Sequence, residues 1–143
     1  MNTRATFIMD ASVIAMNRLY KASQDSGRAA PHNRLIGLQQ QDELVCGARL
    51  VEYSQHWLLR NLCTLPSRRQ QGLAASLLQQ LPKLELSKPI ITFPLPHLDA
   101  FYLKHGFAPY DPQQLCPQLQ QLLRQTRRKH SGIQAMVSQP QLG

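Results

Sequence analysis

The sequence is poor in the features that would place it quickly. Its three cysteines, Cys46, Cys63 and Cys116, are far apart and form no Cys-x-x-Cys pair, which argues against structural zinc. Their odd number fits free, mostly buried thiols. No apolar run approaches the roughly 18 residues of a membrane span. The N-terminal Met1-Asn2-Thr3-Arg4-Ala5-Thr6-Phe7 lacks a signal-peptide core. The expectation is a cytoplasmic protein with no membrane role. Acidic residues are scarce, 8 against 16 basic ones, leaving a net charge of +8. Partners are therefore sought among anions: a nucleic acid, a phosphate-bearing cofactor, or only solvent around a basic surface. The run Arg127-Arg128-Lys129 has no aromatic residues interleaved and no recognised nucleic-acid motif, so nucleic acid is not favoured. With Arg124 it closes a helix whose dipole such cations complement. No repeat, linker or low-complexity tract is visible.

What is present reads as one domain. A chain of 143 residues with 43% apolar and 17% charged content can bury a real core. We expect a single domain over residues 1–138 and a flexible tail over 139–143. A short strand is expected over 3–9, then a helix capped by Asp10 and running to about Ser23. Its apolar face would comprise Val13, Ile14, Met16, Leu19 and Tyr20. A polar loop with Gly27 and Pro31 follows. Residues 34–40 and 43–53 read as strands joined by a tight turn at Gln41-Asp42. The second is apolar on both faces, hence central. After a turn at Ser54-Gln55-His56, the strand at 57–64 completes an antiparallel meander.

Pro66 and a basic, glycine-containing turn come next, then a helix with Leu73, Ala74, Leu77, Leu78 and Leu81 on one face. Pro82 ends it. A strand over 88–93 follows this crossover, so it should run parallel to 57–64. A short helix over 97–105 ends at Gly106 as a left-handed cap. A long helix is expected from Asp111 to about His130, and a last strand over 133–138.

Two constellations could carry chemistry. In Arg69-Gln70-Gln71-Gly72-Leu73-Ala74, a strand feeds a turn whose free N–H groups start a helix, a ready anion site. Gly72 and Ala74 leave room for close approach, and Arg69 adds charge. An ordinary helix start with solvated arginines fits this hexapeptide equally well. In Ala100-Phe101-Tyr102-Leu103-Lys104-His105-Gly106-Phe107, Tyr102 precedes a helix-ending Gly-Phe by four residues. An amphipathic helix with a core tyrosine also explains that pattern.

The order and spacing of the two motifs resemble the GNAT superfamily of acetyl-CoA-dependent N-acyltransferases. Arg69, Gly72 and Ala74 match its Gln/Arg-x-x-Gly-x-Gly/Ala pattern. The chain is also similar to small bacterial members through Leu19-Tyr20-Lys21, Trp57-Leu58-Leu59-Arg60 and Pro96-His97-Leu98-x-Ala100-Phe101-Tyr102. The resemblance implies an α/β (α+β) GNAT fold. Its sheet would be mixed, mostly antiparallel and six- to seven-stranded, flanked by about four helices, with a splayed parallel pair at 57–64 and 88–93.

It implies acetyl-CoA as cosubstrate, without a metal. The backbone of Leu62, Cys63 and Thr64 would pair with the pantetheine arm. Arg68, Arg69, Gln70, Gln71, Gly72, Leu73 and Ala74 would hold the pyrophosphate. Tyr102 would protonate, or hydrogen-bond to, the departing thiolate while a neutral amine attacks the thioester directly. Glu52 and His97 are the candidates for base, with His56 beside them; an imidazole ordinarily titrates near neutrality. An asparagine often found before the tyrosine helix is replaced by Leu95. The acceptor would be an amine of a small molecule or protein, neutral or anionic rather than polycationic, since few acids lie near the expected pocket, Asp25 and Glu52 being the candidates. A homodimer is compatible with these features. The alternative is a non-catalytic, CoA-sensing or regulatory GNAT-fold module.

Overall fold

The computed structural model describes residues 4–138. The expected tail at 139–143, and residue 3 of the expected first strand, lie outside them. Among the described residues seven strands form one sheet in the order β1-β2-β3-β4-β5-β7-β6. They are β1 (Thr6–Ile8), β2 (Arg34–Gln40), β3 (Glu43–Glu52), β4 (Trp57–Thr64), β5 (Ile90–Thr92), β6 (Phe107–Pro109) and β7 (Met136–Ser138). The helices are α1 (Val13–Ala22), α2 (Leu73–Gln80), α3 (Asp99–Lys104) and α4 (Pro117–Lys129). This is the expected α/β mixed sheet with four helices. The described residues divide into two compact units, 4–51 with 59–84 and 52–58 with 85–138.

In the first unit, β1, β2 and β3 pair antiparallel. Gln41 and Asp42 make the β2–β3 turn, both with positive φ (50° and 64°). That backbone matches the twist of a two-residue hairpin. Leu35, Ile36, Gly37 and Leu38 are consecutive and all buried, as expected for a strand covered on both faces. Against this sheet, α1 buries Met16, Leu19 and Tyr20, each worth about 1.5–3 kcal/mol on the usual scale for a buried large apolar side chain. Gly47 makes the close approach feasible. A Cβ there would lie 2.8 Å from Met16 Sδ and 3.0 Å from Leu19 Cδ2.

Two expectations about α1 need correction. Its cap is Ser12, whose Oγ accepts from Ala15 N–H (3.0 Å); Asp10 instead lies 3.9 Å from the Arg34 guanidinium. Ile14 does not belong to the apolar face, being 72% exposed. Asn61, inside β4, has φ of 56°, a left-handed residue in an otherwise extended strand.

In the second unit, β4 and β5 pair in parallel at Trp57↔Ile90 and Leu58↔Ile91. β5 is shorter than the expected 88–93, because Pro89 and Pro94 flank it without amide donors. β7 lies between β5 and β6, antiparallel to both. It covers only 136–138 of the expected 133–138. A 3-10 turn at Pro96–Leu98 precedes α3, and Gly106 (φ 97°) ends it. The long C-terminal helix begins later than expected. Asp111 caps a 3-10 turn at Pro112–Gln114, and α4 starts at Pro117 after an extended Leu115. Pro117 sets φ for a first helical position but disfavours helix in the residue before it. α4 then buries Leu119 and Leu123.

Candidate active site

The turn between β4 and α2 carries the anion-site geometry. A 3-10 turn at Pro66–Arg68 leaves the strand, and Arg69 is extended. Gln70 (φ 67°) and Gly72 (φ 74°) are both left-handed. Gly72 is the N-cap of α2, without a side-chain cap bond. The first N–H groups of a helix have no partner inside it, and they carry its positive dipole end. A Cβ built on Gly72 meets nothing within 4 Å, so its outer side is open. Leu73 points into the core and Ala74 is half-buried. The side chains of Arg69, Gln70 and Gln71 are exposed.

Arg69 reaches back from this turn. Its Nε donates to the Thr64 carbonyl (3.4 Å), which also accepts from Ser23 Oγ (3.5 Å). Thr64 Oγ1 lies 3.5 Å from Cys46 Sγ, and Leu65 N–H donates to the Val45 carbonyl (2.8 Å). The end of β4 is thus tied to α1, to β3 and to the turn that follows. Leu62, Cys63 and Thr64 are all half-buried.

Thiolate chemistry does not suit this place. Burial pushes the Cys63 thiol up to about 12, with the Asp25 charge adding to it. Burial likewise raises Cys46 to about 11. Both therefore remain protonated at neutral pH, and neither is poised as a nucleophile. Tyr20 is also raised, mainly by burial. Its hydroxyl has no partner among the described residues.

In the second unit Tyr102 lies on α3, 6% exposed. Its ring packs edge-on against Phe101 (5.4 Å) and Phe107 (5.3 Å). His97 is exposed in the turn before α3. Glu52 ends β3, and its Oε2 accepts from Lys88 Nζ at 2.6 Å; the same ammonium donates to the Tyr53 carbonyl (2.9 Å). His56 is 2% exposed. Its Nε2 lies 3.2 Å from the Tyr110 hydroxyl, with the rings edge-to-face. Nδ1 has no partner among the described residues. Burial lowers the His56 pKa, so the ring is held neutral. Its polar contact is with Tyr110.

The structure therefore brings residues 62–64 and 68–74 together around one turn, and pairs Glu52 with Lys88. The sequence reading did not single out Asn61 or Lys88. An asparagine within a strand-like run was the available sign of the first, since asparagine tolerates positive φ. Nothing local marks the second. Among the described residues no group of acidic, histidine or cysteine side chains could hold a metal. No helix among them is long and apolar enough to cross a membrane.

The model of the acetyltransferase (GNAT) domain matches residues 31–109, more than half of the chain. No curated protein matches the sequence. Solved structures share its fold at low identity. N-acetylglutamate synthase from Neisseria gonorrhoeae, complexed with coenzyme A and N-acetyl-glutamate, matches at 10% identity and TM-score 0.72, over 99% of this chain and 36% of that one. This chain thus spans about a third of the synthase. The ribosomal-protein-S18-alanine N-acetyltransferase of Escherichia coli matches at 12% identity and TM-score 0.64, over 98% and 96% of the two chains. PaiA N-acetyltransferase from Thermoplasma acidophilum, in complex with coenzyme A, matches at 11% identity and TM-score 0.64, over 95% and 99%. The matched segment begins before β2 and ends with β6, and so takes in both motifs. The chain therefore belongs to the GNAT acetyltransferase family.

Proposed function

We propose that the chain transfers an acetyl group from acetyl-CoA to a primary amine of a small molecule or protein. The observation that carries this reading is the β4–α2 turn. It has two left-handed residues, a glycine open on its outer side and the N-terminus of α2. The amides of residues 69–74, with Arg68 and Arg69, take the pyrophosphate. The backbone of Leu62 and Cys63 takes the pantetheine; the Thr64 carbonyl already accepts two bonds from its own chain. Coenzyme A in the N-acetylglutamate synthase and PaiA complexes supports acetyl-CoA as the cosubstrate.

The amine attacks the thioester carbonyl directly in a ternary complex. Tyr102 protonates the departing thiolate, and the excess proton of the amine leaves to a base. Glu52 already accepts a charge-assisted bond from Lys88, so His97, exposed before α3, is the favoured base. The acids available to an acceptor are likewise engaged: Asp25 Oδ1 accepts from Gly27 N–H and Asn61 Nδ2, and Glu52 from Lys88. This supports a neutral or anionic amine over a polycation.

Calorimetric titration with acetyl-CoA tests the cofactor, and absence of binding at millimolar concentration sinks the proposal. An amine library with thiol detection tests the activity. Turnover should fall at least about a hundredfold in Tyr102→Phe, the lower end of the range for loss of a general acid. Leu95 in the place of the usual asparagine favours a second reading, a CoA-sensing module. Tight CoA binding without turnover on any amine would establish that reading instead.

A further inference from the structure

Asn61 combines two unusual features. Its φ of 56° interrupts β4 immediately before Leu62, Cys63 and Thr64. Its side chain is also held at both ends. Arg49 on β3 donates from Nε to Asn61 Oδ1 (2.8 Å), and Asn61 Nδ2 donates to Asp25 Oδ1 (3.0 Å). The same Asp25 oxygen accepts from Gly27 N–H (2.7 Å). Gly27 lies so close that a Cβ there would come 2.5 Å from Asn61 Cγ.

The network extends along the 24–33 loop. Arg49 Nη1 donates to Asn33 Oδ1 (3.4 Å), which accepts from Ala30 N–H (3.0 Å). Asn17 on α1 accepts from Ala29 N–H (2.7 Å) and donates to its carbonyl (3.4 Å). A left-handed residue tilts the peptide planes on either side of it, so the direction in which the next amides and carbonyls point depends on keeping that conformation. The clamp holds the side chain of that residue at both ends, and one end is a loop rather than a strand. It thereby couples two segments that local sequence would leave independent.

We propose that Asn61 is a positioning residue for acyl transfer. Clamped between Asp25 and Arg49, it fixes the backbone of Leu62 and Cys63 for the pantetheine arm and fastens the 24–33 loop to that same strand. The inference rests on the acetyl-CoA reading above. The loop and the pantetheine strand respond as one: loosening the clamp at either end impairs recognition of pantetheine but spares recognition of the pyrophosphate.

The test compares CoA with 3′-phospho-ADP, the CoA fragment that lacks pantetheine, by calorimetry on the full chain. Asn61→Gly keeps a backbone at ease with positive φ but removes the clamp. It should weaken CoA about tenfold, the scale of lost buried hydrogen bonds, and leave the fragment within about twofold. Asp25→Ala should do the same, while Asp25→Asn, which retains an acceptor oxygen, should behave as wild type. The double variant Asn61→Gly with Asp25→Ala should lose no more than either single one, because both break one unit. Ile133→Val, a core change in the other unit, should lower stability without moving the CoA-to-fragment ratio. Equal losses for CoA and fragment, or no loss for either, overturn the proposal. So does strict additivity of the two single variants. If wild type binds neither ligand, the cofactor reading itself fails and takes the clamp's role with it; binding of both by wild type with an unchanged ratio in the variants removes the clamp alone.

Discussion

Gly72→Ala separates the two roles that the β4–α2 turn assigns to one glycine. At φ of 74° an alanine is in the left-handed region, which costs an L-residue about 1–2 kcal/mol. No clash adds to this, since nothing lies within 4 Å of the new methyl. For a chain of this size about 1 kcal/mol moves Tm by about 4 °C, so thermal denaturation should show a drop of about 4–8 °C. The methyl also occupies the open side, where the pyrophosphate would approach. Acetyl-CoA binding should therefore weaken about tenfold, equivalent to about 1.4 kcal/mol. Gly106→Ala is the matched comparison. It too has positive φ (97°) and an unobstructed Cβ, so it should lose similar stability. It caps α3 in the other unit and should leave acetyl-CoA affinity unchanged. Calorimetric titration of both variants decides the matter. Equal affinity in wild type and Gly72→Ala would refute the assignment of the turn to the pyrophosphate. An unchanged Tm in Gly72→Ala would refute the backbone argument beneath it.

Other perturbations report on other parts of the molecule. His56 is buried and its pKa is lowered in the folded state. Above the unfolded value of about 6.5 it is neutral in both states and stability should not depend on it. As pH falls below that value the unfolded chain takes a proton the native one refuses, so stability declines by up to about 1.4 kcal/mol per pH unit. Urea midpoints between pH 7.5 and 5 should show that decline, and His56→Gln should flatten it. Gly47→Ala pushes a methyl into Met16 and Leu19 and should cost about 1–3 kcal/mol by overpacking, read from the urea midpoint. With thiols raised to about 12 at Cys63 and about 11 at Cys46, iodoacetamide should label neither at neutral pH in the native state. Mass spectrometry after a timed exposure checks this, and rapid alkylation of Cys63 would contradict it.

The features legible in the sequence were those written in local chemistry. Gln41-Asp42 between two apolar runs specifies a hairpin. Leu73, Leu77, Leu78 and Leu81 recur at helical spacing and are all buried. Arg69, Gly72 and Ala74 mark the turn because glycine and a helix start are visible without tertiary information. The misplaced boundaries share one cause. Ser12 and Asp10 are both competent caps, and only packing chooses between them. Leu115 and Pro117 fit a helical pattern that two prolines delay. Ile14 carries an apolar side chain on a face that nothing in the described residues covers. The Asn61 clamp was illegible for a deeper reason. Its partners are 12 and 36 positions away, and no local pattern states that a loop aspartate will meet a strand asparagine.

The place of β7 bears on how the chain is made. Its three residues, the last of the described strands, fill the slot between β5 and β6. On the ribosome β5 and β6 must therefore wait, each with a row of unpaired amides and carbonyls, until residues 136–138 have cleared the exit tunnel. Open strand edges of that kind recruit other strands. Until Ser138 emerges, the facing edges of β5 and β6 stay open to mispairing. The prolines that keep β5 short limit the template it offers during that wait.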